Sequence, residues 1–451
     1  MKDKKILVVG LGRSGQAAVK ATFEQGAIVS VQDSKGPEAI DKEFLDYMNS
    51  REIDQYLGRV PEDMAQFDMV VLSPGVPPTL EFVEAAKATG AQIIGELELA
   101  YRLCKGKFVA ITGTNGKTTT TTLVGEIYKS AGLDTCVGGN IGRAVAFDAL
   151  DATEETWMIT ETSSFQLETI DQFRPEVSAI LNLTPDHMDR HKTMENYGKA
   201  KARVFENQTE EQYVVLNYDD PACFELAERE CCKATVVPFS RKEELDFGAF
   251  VRDEKIVILN ANKEIVEICG TDELKIPGSH NLENALAAAA IAYFGGIDPK
   301  VIGEALRTFA GVAHRIELCC EKNGVRFVND SKGTNTDAAI KAIEAMKENI
   351  ILIAGGYDKG STYDEFIDAF EGRVKHLVLL GATAPKIRAA AEGAGYNNIT
   401  EGRDMEDCVK IAYDLATEGD VVLLSPACAS WDMYDNFEQR GEDFREWAQR
   451  L

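Results

Sequence analysis

The sequence lacks the features that mark secreted, zinc-binding or membrane-spanning proteins. Its ten cysteines form no C-x-x-C pair, and Cys231-Cys232 and Cys319-Cys320 are immediate neighbours, a spacing that simple disulfide frameworks and zinc sites do not use. The most apolar stretch, ALAAAAIAYFGGI, is too short to cross a bilayer. The start, MKDKKILVVGLGRSG, has no small-residue cleavage site after its apolar run. We therefore expect a soluble, cytoplasmic protein with reduced thiols.

Positive charge is also scarce. The chain has 48 Lys and Arg against 74 Asp and Glu, so its net charge is 48 − 74 = −26. Such a chain repels nucleic acid and anionic membranes, and any phosphate has to be held by local groups. We therefore expect small-molecule substrates as partners, with no nucleic acid and no membrane.

The pattern of the 451 residues predicts an α/β protein of about three domains. Short runs such as KILVVG, FVAITGT and IILIAGG alternate with helical patterns, which is typical of parallel sheets, while FVRDEKIVILN indicates a β-hairpin. We predict a Rossmann-like domain over 1–95, a central P-loop ATPase-like domain with a mostly parallel sheet and a small hairpin region over 96–310, and a Rossmann-like C-terminal domain over 311–451. Ligands should bind at the carboxyl ends of the strands.

The first glycine-rich loop, GLGRSG at 10–15, lies between a predicted strand and a predicted helix. Asp33 ends the next strand, which completes the arrangement of dinucleotide-binding folds. The glycines let a diphosphate approach the helix N-terminus, and Ser73 and Gly75 in LSPGVP could complete the site. A tight turn without a ligand is the alternative. The pattern does not separate a nicotinamide cofactor from another nucleoside diphosphate.

The second loop, FVAITGTNGKTTTTTL, departs from the usual P-loop spacing. Ile111 stands where a glycine is usual, and Gly113 is only three residues before Gly116. Lys117 can still reach β- and γ-phosphates, and Thr118 offers a hydroxyl to Mg²⁺. The alternative is a chance Gly-Lys-Thr turn. Threonines are poor helix formers without an evident packing purpose at a helix start, so the run favours ATP binding.

Further candidates follow later strands. Glu161 is a candidate Mg²⁺ ligand, with a solvated loop carboxylate as the alternative. His187 and His191 have i, i+4 spacing, but Met188 replaces the Glu of a zinc protease motif, so we expect a substrate or metal contact, or helix capping. We predict that the basic helix ENYGKAKARVFE exposes its charged side chains to solvent.

The last third of the chain places cations beside an acid at strand ends. Arg315 and Lys332 flank Asp330 in GVAHRIE and VNDSKGTN, a combination that suits polyphosphate and ribose contacts. Ordinary loop chemistry is the alternative for each residue taken separately.

Several motifs together resemble the Mur ligase family of ATP-dependent amide-forming enzymes, across all three domains. GTNGKT has that family's offset P-loop register, and DSKGTN, SPACASWD and NFEQRG are similar to its D-glutamate-adding branch. The resemblance implies an ADP-forming acid–D-amino-acid ligase of peptidoglycan precursor synthesis. It would be a monomer that uses ATP, two Mg²⁺ ions, UDP-N-acetylmuramoyl-L-alanine and D-glutamate, and proceeds through an acyl phosphate.

The resemblance also implies roles for individual residues. The UDP-substrate contacts would be Gly12, Ser14, Asp33, Ser34, Ser73, Gly75 and Asn140. The ATP contacts would be Gly113, Thr114, Asn115, Gly116, Lys117, Thr118, Thr119, Asn281, Asn284, Arg315 and Asp330. The D-glutamate contacts would be Thr334, Lys359, Ser430 and Phe437. The metal ligands would be Thr118, Glu161, His187 and a carbamylated Lys201, and the catalytic residues Lys117, His187, Lys201 and Lys332.

Alternative functions stay open at this point. The chain departs from some relatives at Ser34-Lys35, where they have Thr-Arg, and at Gly333 in a DSKATN-type motif. Other muramyl-peptide ligases and folate-glutamate ligases remain alternatives, although DSKGTN and SPACASWD argue against them. A nicotinamide-dependent dehydrogenase would have no use for Lys117 and Thr118. A non-catalytic ATP switch would need no uridine pocket.

Overall fold

Three β-sheets with flanking helices make up the protein, which confirms the predicted fold class. The computed structural model describes residues 1–276, 278–346, 349–358 and 360–451. By internal contacts the chain divides into two units, Met1–Glu273 with Glu283–Arg307, and Leu274–Leu282 with Thr308–Leu451. Within the described residues, no helix has the length and apolar character needed to span a membrane.

The first sheet is parallel and has the strand order β3-β2-β1-β4-β5. Its strands are β1 (Lys5–Val9), β2 (Ile28–Asp33), β3 (Asp54–Leu57), β4 (Met69–Leu72) and β5 (Gln92–Gly95). Its helices are α1 (Arg13–Glu24), α2 (Lys42–Asn49), α3 (Glu81–Ala88) and α4 (Glu96–Leu103). The inner strands are buried on both faces, so their sequences are continuous apolar runs. The loops after β1, β2 and β4 meet at one edge.

The second sheet has nine strands in the order β14-β13-β12-β11-β10-β9-β6-β8-β7. They are β6 (Lys107–Thr112), β7 (Thr135–Gly139), β8 (Trp157–Glu161), β9 (Val177–Ile180), β10 (Tyr213–Asn217), β11 (Thr235–Ser240), β12 (Gly248–Arg252), β13 (Lys255–Leu259) and β14 (Ile265–Gly270). Only β12, β13 and β14 pair antiparallel in this sheet, among the residues described. The predicted hairpin in FVRDEKIVILN is therefore confirmed.

The helices around this sheet carry the P-loop and several candidate site residues. They are α5 (Lys117–Ser130), α6 (Val145–Ala149), α7 (Ser164–Leu167), α8 (Met188–His191), α9 (Met194–Ala202), α10 (Pro221–Phe224), α11 (Ser279–Phe294) and α12 (Pro299–Thr308). The interpretation that the threonine run lacks a packing purpose is wrong. Thr118 to Thr121 are buried in the first turns of α5, where short β-branched side chains pack against neighbouring segments.

The third sheet lies in the second unit and has the order β15-β16-β20-β17-β18-β19. Its strands are β15 (Glu317–Lys322), β16 (Val325–Asn329), β17 (Ile350–Ala354), β18 (Val374–Leu379), β19 (Ile399–Glu401) and β20 (Val421–Leu424). Its helices are α13 (Thr336–Ala345), α14 (Asp364–Asp368), α15 (Ala384–Gly393), α16 (Met405–Leu415) and α17 (Phe437–Arg450). Apolar clusters cover both faces, and only β15 runs antiparallel to its neighbour in the described part.

Candidate active site

A cavity of about 790 Å³ opens where β1, β2 and β4 end. Six of the seven residues predicted for the UDP-linked substrate line it, namely Gly12, Ser14, Asp33, Ser34, Ser73 and Gly75. The seventh, Asn140, lies instead beside Glu161 of the second sheet, to which its amide donates a hydrogen bond. Six of the predicted residues therefore line one cavity, and its volume is suitable for a nucleotide-sized ligand.

The loop from β1 to α1 is shaped by its own hydrogen bonds. Gly10 has a φ of +84°, and a side chain at Gly15 would collide with the Gly10 carbonyl, so both positions require glycine. The Asp33 carboxylate accepts hydrogen bonds from Leu11 N at 2.7 Å and Lys35 N at 2.9 Å. The Ser73 hydroxyl donates to Gly10 O at 2.7 Å. These bonds fix the conformation of the loop. Helix α1 then begins without a side-chain cap, so its first backbone N–H groups are available to bind a phosphate.

The offset P-loop folds between β6 and α5 as predicted. Gly113 and Gly116 have φ values of +147° and +81°, so glycine is required at both. A side chain on Gly116 would collide with the amide of Asn284, which brings that predicted ATP contact to the loop. Lys117 begins α5, and its ammonium donates to the carbonyls of Gly113 at 2.9 Å and Thr114 at 2.6 Å. The loop is therefore a preformed glycine-rich turn before a helix, which is the kind of structure that binds polyphosphates.

Asn182 fixes the P-loop, and the sequence interpretation missed it. Its Oδ1 accepts hydrogen bonds from Thr114 N at 3.1 Å and Asn115 N at 2.8 Å, and its Nδ2 donates to Asn115 O at 3.0 Å. Asn182 follows β9 in LNLTPDH, where only the histidine had drawn attention. An asparagine two residues after a strand that neighbours the P-loop strand in the sheet was the available signal.

Glu161 lies against the start of α5 rather than in solvent. It is 1% exposed, its Oε2 accepts a 2.7 Å hydrogen bond from the Thr118 hydroxyl, and its Oε1 accepts one from Asn140 Nδ2 at 2.7 Å. The alternative of a solvated loop carboxylate is therefore wrong. A hydroxyl and a carboxylate beside a P-loop are the hard oxygen ligands that Mg²⁺ prefers, so these residues fit the ion.

Among the described residues, no cluster of three or more His, Cys, Asp or Glu side chains is arranged to hold a metal ion. Mg²⁺ commonly completes its shell with water and substrate phosphate, which suits a site with two protein oxygens next to a phosphate-binding loop.

Lys201 is buried beneath the P-loop. It is 1% exposed, and its ammonium donates to Gly113 O at 2.7 Å and lies 4.5 Å from the centre of the Tyr197 ring. Burial, with the nearby charge of Lys117, holds the pKa of Lys201 well below its usual value. The interpretation of a solvated basic face is therefore wrong for Lys201, although Lys199 on the same helix is exposed and pairs with Glu195.

The two histidines of LNLTPDHMDRH have different environments. His187 has a φ of +55° before α8, its ring lies 4.9 Å from that of Phe165, and its side chain makes no capping bond to the helix. His191 is buried, and its Nε2 lies 2.9 Å from the Ser164 hydroxyl. His191 therefore has a structural partner in Ser164, and His187 Nε2 lies 3.5 Å from an oxygen of Asp186.

Asp330 and Arg315, which were predicted to lie close together, are neighbours in the second unit. Asp330 is buried, its Oδ1 lies 3.8 Å from an Arg315 nitrogen, and its Oδ2 accepts a 2.8 Å hydrogen bond from Ser425. Burial raises the pKa of Asp330 to about 6, although the Arg315 charge opposes this. The Lys332 ammonium lies 4.9 Å from the centre of the Phe437 ring.

The remaining predicted residues of this unit are distributed over several loops. Asn281 and Ser430 are buried, and Thr334 N donates to Lys332 O at 2.8 Å. Lys359 lies outside the described residues.

Arg440 joins the loops of the second unit, and the sequence interpretation missed it as well. It is 1% exposed, and its guanidinium donates to Ser331 Oγ and O and to the carbonyls of Cys428 and Ala429, at 2.8–3.1 Å. It thereby ties the DSKG and SPACAS loops to α17. Its motif, NFEQRG, was recognised, but only Phe437 received a role.

Family comparisons agree with this architecture. Models described as Mur ligase MurD-like N-terminal domain, Mur ligase middle domain, and Mur ligase glutamate ligase domain match residues 4–95, 111–292 and 314–428. Among solved structures, a pseudomurein peptide ligase type C from Methanothermus fervidus has a TM-score of 0.61 at 19% identity, with 99% of this chain and 100% of that chain covered. UDP-N-acetylmuramate-alanine ligase MurC from Thermotoga maritima has a TM-score of 0.60 at 20% identity, with 99% of each chain covered. At these identities the likeness establishes the fold.

Curated relatives are more similar in sequence. UDP-N-acetylmuramoylalanine–D-glutamate ligase of Alkaliphilus oremlandii is 52% identical over 454 residues, covering 100% of this chain and 99% of the relative. The protein of the same name from Clostridioides difficile is 49% identical, with 100% and 99% covered. The chain therefore belongs to the Mur ligase family, whose members form amide bonds with ATP, generally with Mg²⁺.

Proposed function

We propose that the protein joins D-glutamate to the alanyl carboxyl group of UDP-N-acetylmuramoyl-L-alanine, with ATP as the phosphoryl donor, in peptidoglycan precursor synthesis. The observation that carries this proposal is the P-loop with Thr118 and Glu161 beside it, in a chain 52% identical over its length to a D-glutamate ligase. A dehydrogenase would not require this phosphate cradle.

The first step transfers a phosphoryl group. An oxygen of the alanyl carboxylate attacks the γ-phosphorus of ATP, the bond to the β–γ bridging oxygen breaks, and ADP and an acyl phosphate form. The N–H groups at the start of α5 hold the phosphates, and the Lys117 ammonium turns from the carbonyls of Gly113 and Thr114 to the γ-phosphate. Thr118 and Glu161 would hold Mg²⁺, which would supply charge neutralisation.

The second step forms the amide. The amine of D-glutamate attacks the acyl carbon, a tetrahedral species forms, and the carbon–oxygen bond to phosphate breaks while the amine loses a proton. Thr334, Lys359, Ser430 and Phe437 hold D-glutamate, and Lys332 neutralises charge on the leaving phosphate. Since no covalent enzyme intermediate is needed, the residues act by positioning and electrostatics.

Lys201 becomes a carbamate in this proposal. Its amine bonds to the carbon of CO₂ with loss of a proton, which replaces a cation with an anion whose oxygens, together with His187, suit a second Mg²⁺. Its burial against Gly113 O supports this role, because a permanently charged lysine is costly there. A carbamate carbon signal in NMR after ¹³C-bicarbonate labelling should appear in the native protein and be absent in Lys201→Met.

We also propose that the substrates divide among three domains, at 1–95 for the UDP moiety, 96–310 for ATP and 311–451 for D-glutamate and part of the nucleotide. The first two correspond to the first and second sheets, and the third to the sheet of the second unit.

Phosphate release tests the function. With ATP, Mg²⁺ and UDP-N-acetylmuramoyl-L-alanine, D-glutamate should support release and L-glutamate should not. Lys117→Ala should abolish turnover but retain uridine-nucleotide binding, because the two loops are separate. Activity with L-amino acids and none with D-glutamate would assign the protein to another ligase branch. Loss of both activities in Lys117→Ala would mean that the two loops were misassigned.

A further inference from the structure

Three rings form a continuous row between His187 and Lys201, the two side chains proposed for the second Mg²⁺. Phe165, His191 and Tyr197 make up this aromatic ladder. The Phe165 ring centre lies 4.9 Å from that of His187 and 5.5 Å from that of His191. The His191 ring lies 5.1 Å from the Tyr197 ring, whose centre is 4.5 Å from the Lys201 ammonium. At each step the separation is one at which two rings, or a ring and a cation, attract each other.

The middle ring of the aromatic ladder is fixed by polar groups at both nitrogens. His191 is buried, its Nε2 lies 2.9 Å from the Ser164 hydroxyl, and its Nδ1 lies 3.7 Å from Glu168 Oε1. Rotation of the imidazole would separate both nitrogens from these oxygens, which is costly in a buried position. The ring is therefore held in one orientation between Phe165 and Tyr197.

The outer rings of the aromatic ladder are fixed as well. The guanidinium carbon of Arg190 lies 4.3 Å from the Phe165 ring centre, and Arg190 in turn pairs with Glu168. Tyr197 is 1% exposed, and its hydroxyl lies 3.3 Å from Thr114 Oγ1 in the P-loop. The row of rings is therefore attached both to the segment around α7 and to the phosphate-binding loop.

The backbone of His187 also depends on its surroundings. Its φ of +55° lies in the left-handed region, which residues other than glycine adopt at a cost and keep where neighbouring groups impose it. The His187 carbonyl accepts hydrogen bonds from Arg190 N and His191 N, both at 3.1 Å, and Phe165 contacts the ring. The orientation of the His187 side chain is therefore set by the same residues that form the ladder or contact it.

We propose that Phe165, His191 and Tyr197 are positioning residues, which hold His187 and Lys201 at the separation needed for one shared Mg²⁺. Side chains behind metal ligands orient those ligands, and their replacement commonly weakens metal binding by about 10–100-fold. Aromatic rings suit this purpose because they are rigid and have few torsion angles. This inference rests on the carbamylated Lys201 and the second Mg²⁺ of the proposed function. Ordinary core packing is the alternative, and it predicts no selective effect on one metal ion.

Mn²⁺ binding followed by electron paramagnetic resonance tests the proposal. With bicarbonate and an ATP analogue that has a methylene β–γ bridge, native protein should bind one Mn²⁺ at Thr118 and Glu161 and a second at His187 and Lys201. Phe165→Leu should weaken the second ion at least about tenfold. It should leave the first near native, because Thr118 and Glu161 are held by their own hydrogen bond. Phe165→Tyr retains the ring and should bind both ions as native protein does.

Tyr197 and a distant phenylalanine supply the matched comparisons. Tyr197→Phe keeps the ring and removes the hydroxyl, so it should retain the second ion, whereas Tyr197→Leu should weaken it at least about tenfold. Phe294→Leu is the control, because Phe294 is also a half-buried ring in an aromatic cluster of the first unit, 5.1 Å from the Tyr213 ring and 5.4 Å from that of Phe247. This variant should bind both ions with native affinity.

The outcomes separate the aromatic ladder from the proposed function. If native protein binds a single Mn²⁺ with the analogue, the second metal site and the ladder's role are both overturned, while phosphate release with D-glutamate still decides the ligase activity. If native protein binds two ions and Phe165→Leu binds both as tightly, or weakens both equally, the metal sites stand and the positioning role is overturned. Loss of the second ion in Tyr197→Phe would assign the effect to the hydroxyl and overturn the role of that ring.

Discussion

Glu96, the first residue of α4, is a buried carboxyl that neither proposed chemical step uses. It is 2% exposed, and its Oε1 accepts a 2.6 Å hydrogen bond from Ala146 N, while its Oε2 has no partner among the described residues. Burial raises the pKa of Glu96 to about 7, although the hydrogen bond from Ala146 lowers it. The folded protein therefore keeps this proton over a range in which an unfolded chain releases it.

This proton makes stability depend on pH. Between the unfolded pKa near 4.5 and the folded value of about 7, the folded state binds more protons, so stability falls as pH rises and is level above that window. The full effect is about 3 kcal/mol. Glu96→Gln removes it, so the variant should gain stability relative to the native protein as pH rises from 5 to 7.5. Thermal unfolding of both proteins over that range measures the difference. Parallel pH profiles would contradict the assignment.

At the scale of elements, α17 acts as an anchor for two loops. Arg440→Lys should break most of the four hydrogen bonds to the DSKG and SPACAS loops and leave buried carbonyls unpaired. We expect a loss of about 2–4 kcal/mol in stability. The KM for D-glutamate should rise at least tenfold, because Ser430 and Lys332 lie on those loops, with a smaller change in the KM for ATP.

Arg450→Lys is the control on the same helix. Arg450 is at the surface, where it pairs with Glu446, so both KM values should stay near native. Steady-state kinetics with each substrate varied in turn measures the two constants. A fall in kcat with an unchanged KM for D-glutamate would show that Arg440 does not position that substrate's loops.

The central strands could be predicted, whereas some short edge strands could not. IILIA in β17 is buried on both faces, so its apolar run indicates a strand without further information. In contrast, β3 (DQYL) and β19 (ITE) are short and partly exposed. A proline has no backbone N–H to donate, so Pro238 disfavours a strand at β11. In the structure, β11 pairs with β12 only at the residues after Pro238.

Some candidate site residues could be predicted from their local position, and others could not. Lys117, Glu161 and Asp330 stand at strand or helix ends and were identified from position and chemistry. The burial of Lys201, the bonds of Asn182 and the anchoring by Arg440 depend on contacts between segments distant in the chain. No local pattern encodes such contacts, and Lys199, two residues from Lys201, has the same side chain but is exposed.

At the scale of the whole molecule, a chain of net charge −26 has to bind anionic substrates through short-range groups. The structure supplies backbone N–H groups at the starts of α1 and α5, with a few cations nearby. No diffuse positive surface is needed to hold the nucleotides. Each nucleotide should therefore slow hydrogen exchange only in the segments that contact it.

Hydrogen exchange should resolve these segments. UDP should slow exchange at the cavity loops, 10–15 and 58–60, since a ligand that binds the native state suppresses local opening. ATP with Mg²⁺ should slow exchange at 113–119 in the first unit and also around Arg315 and Asp330 in the second, because the predicted contacts fall in both. Lys117→Ala should lose the ATP effect in both units and keep the UDP effect. Protection by ATP confined to the first unit would remove Arg315 and Asp330 from the nucleotide site, and protection of the second unit by UDP alone would contradict the separate pockets.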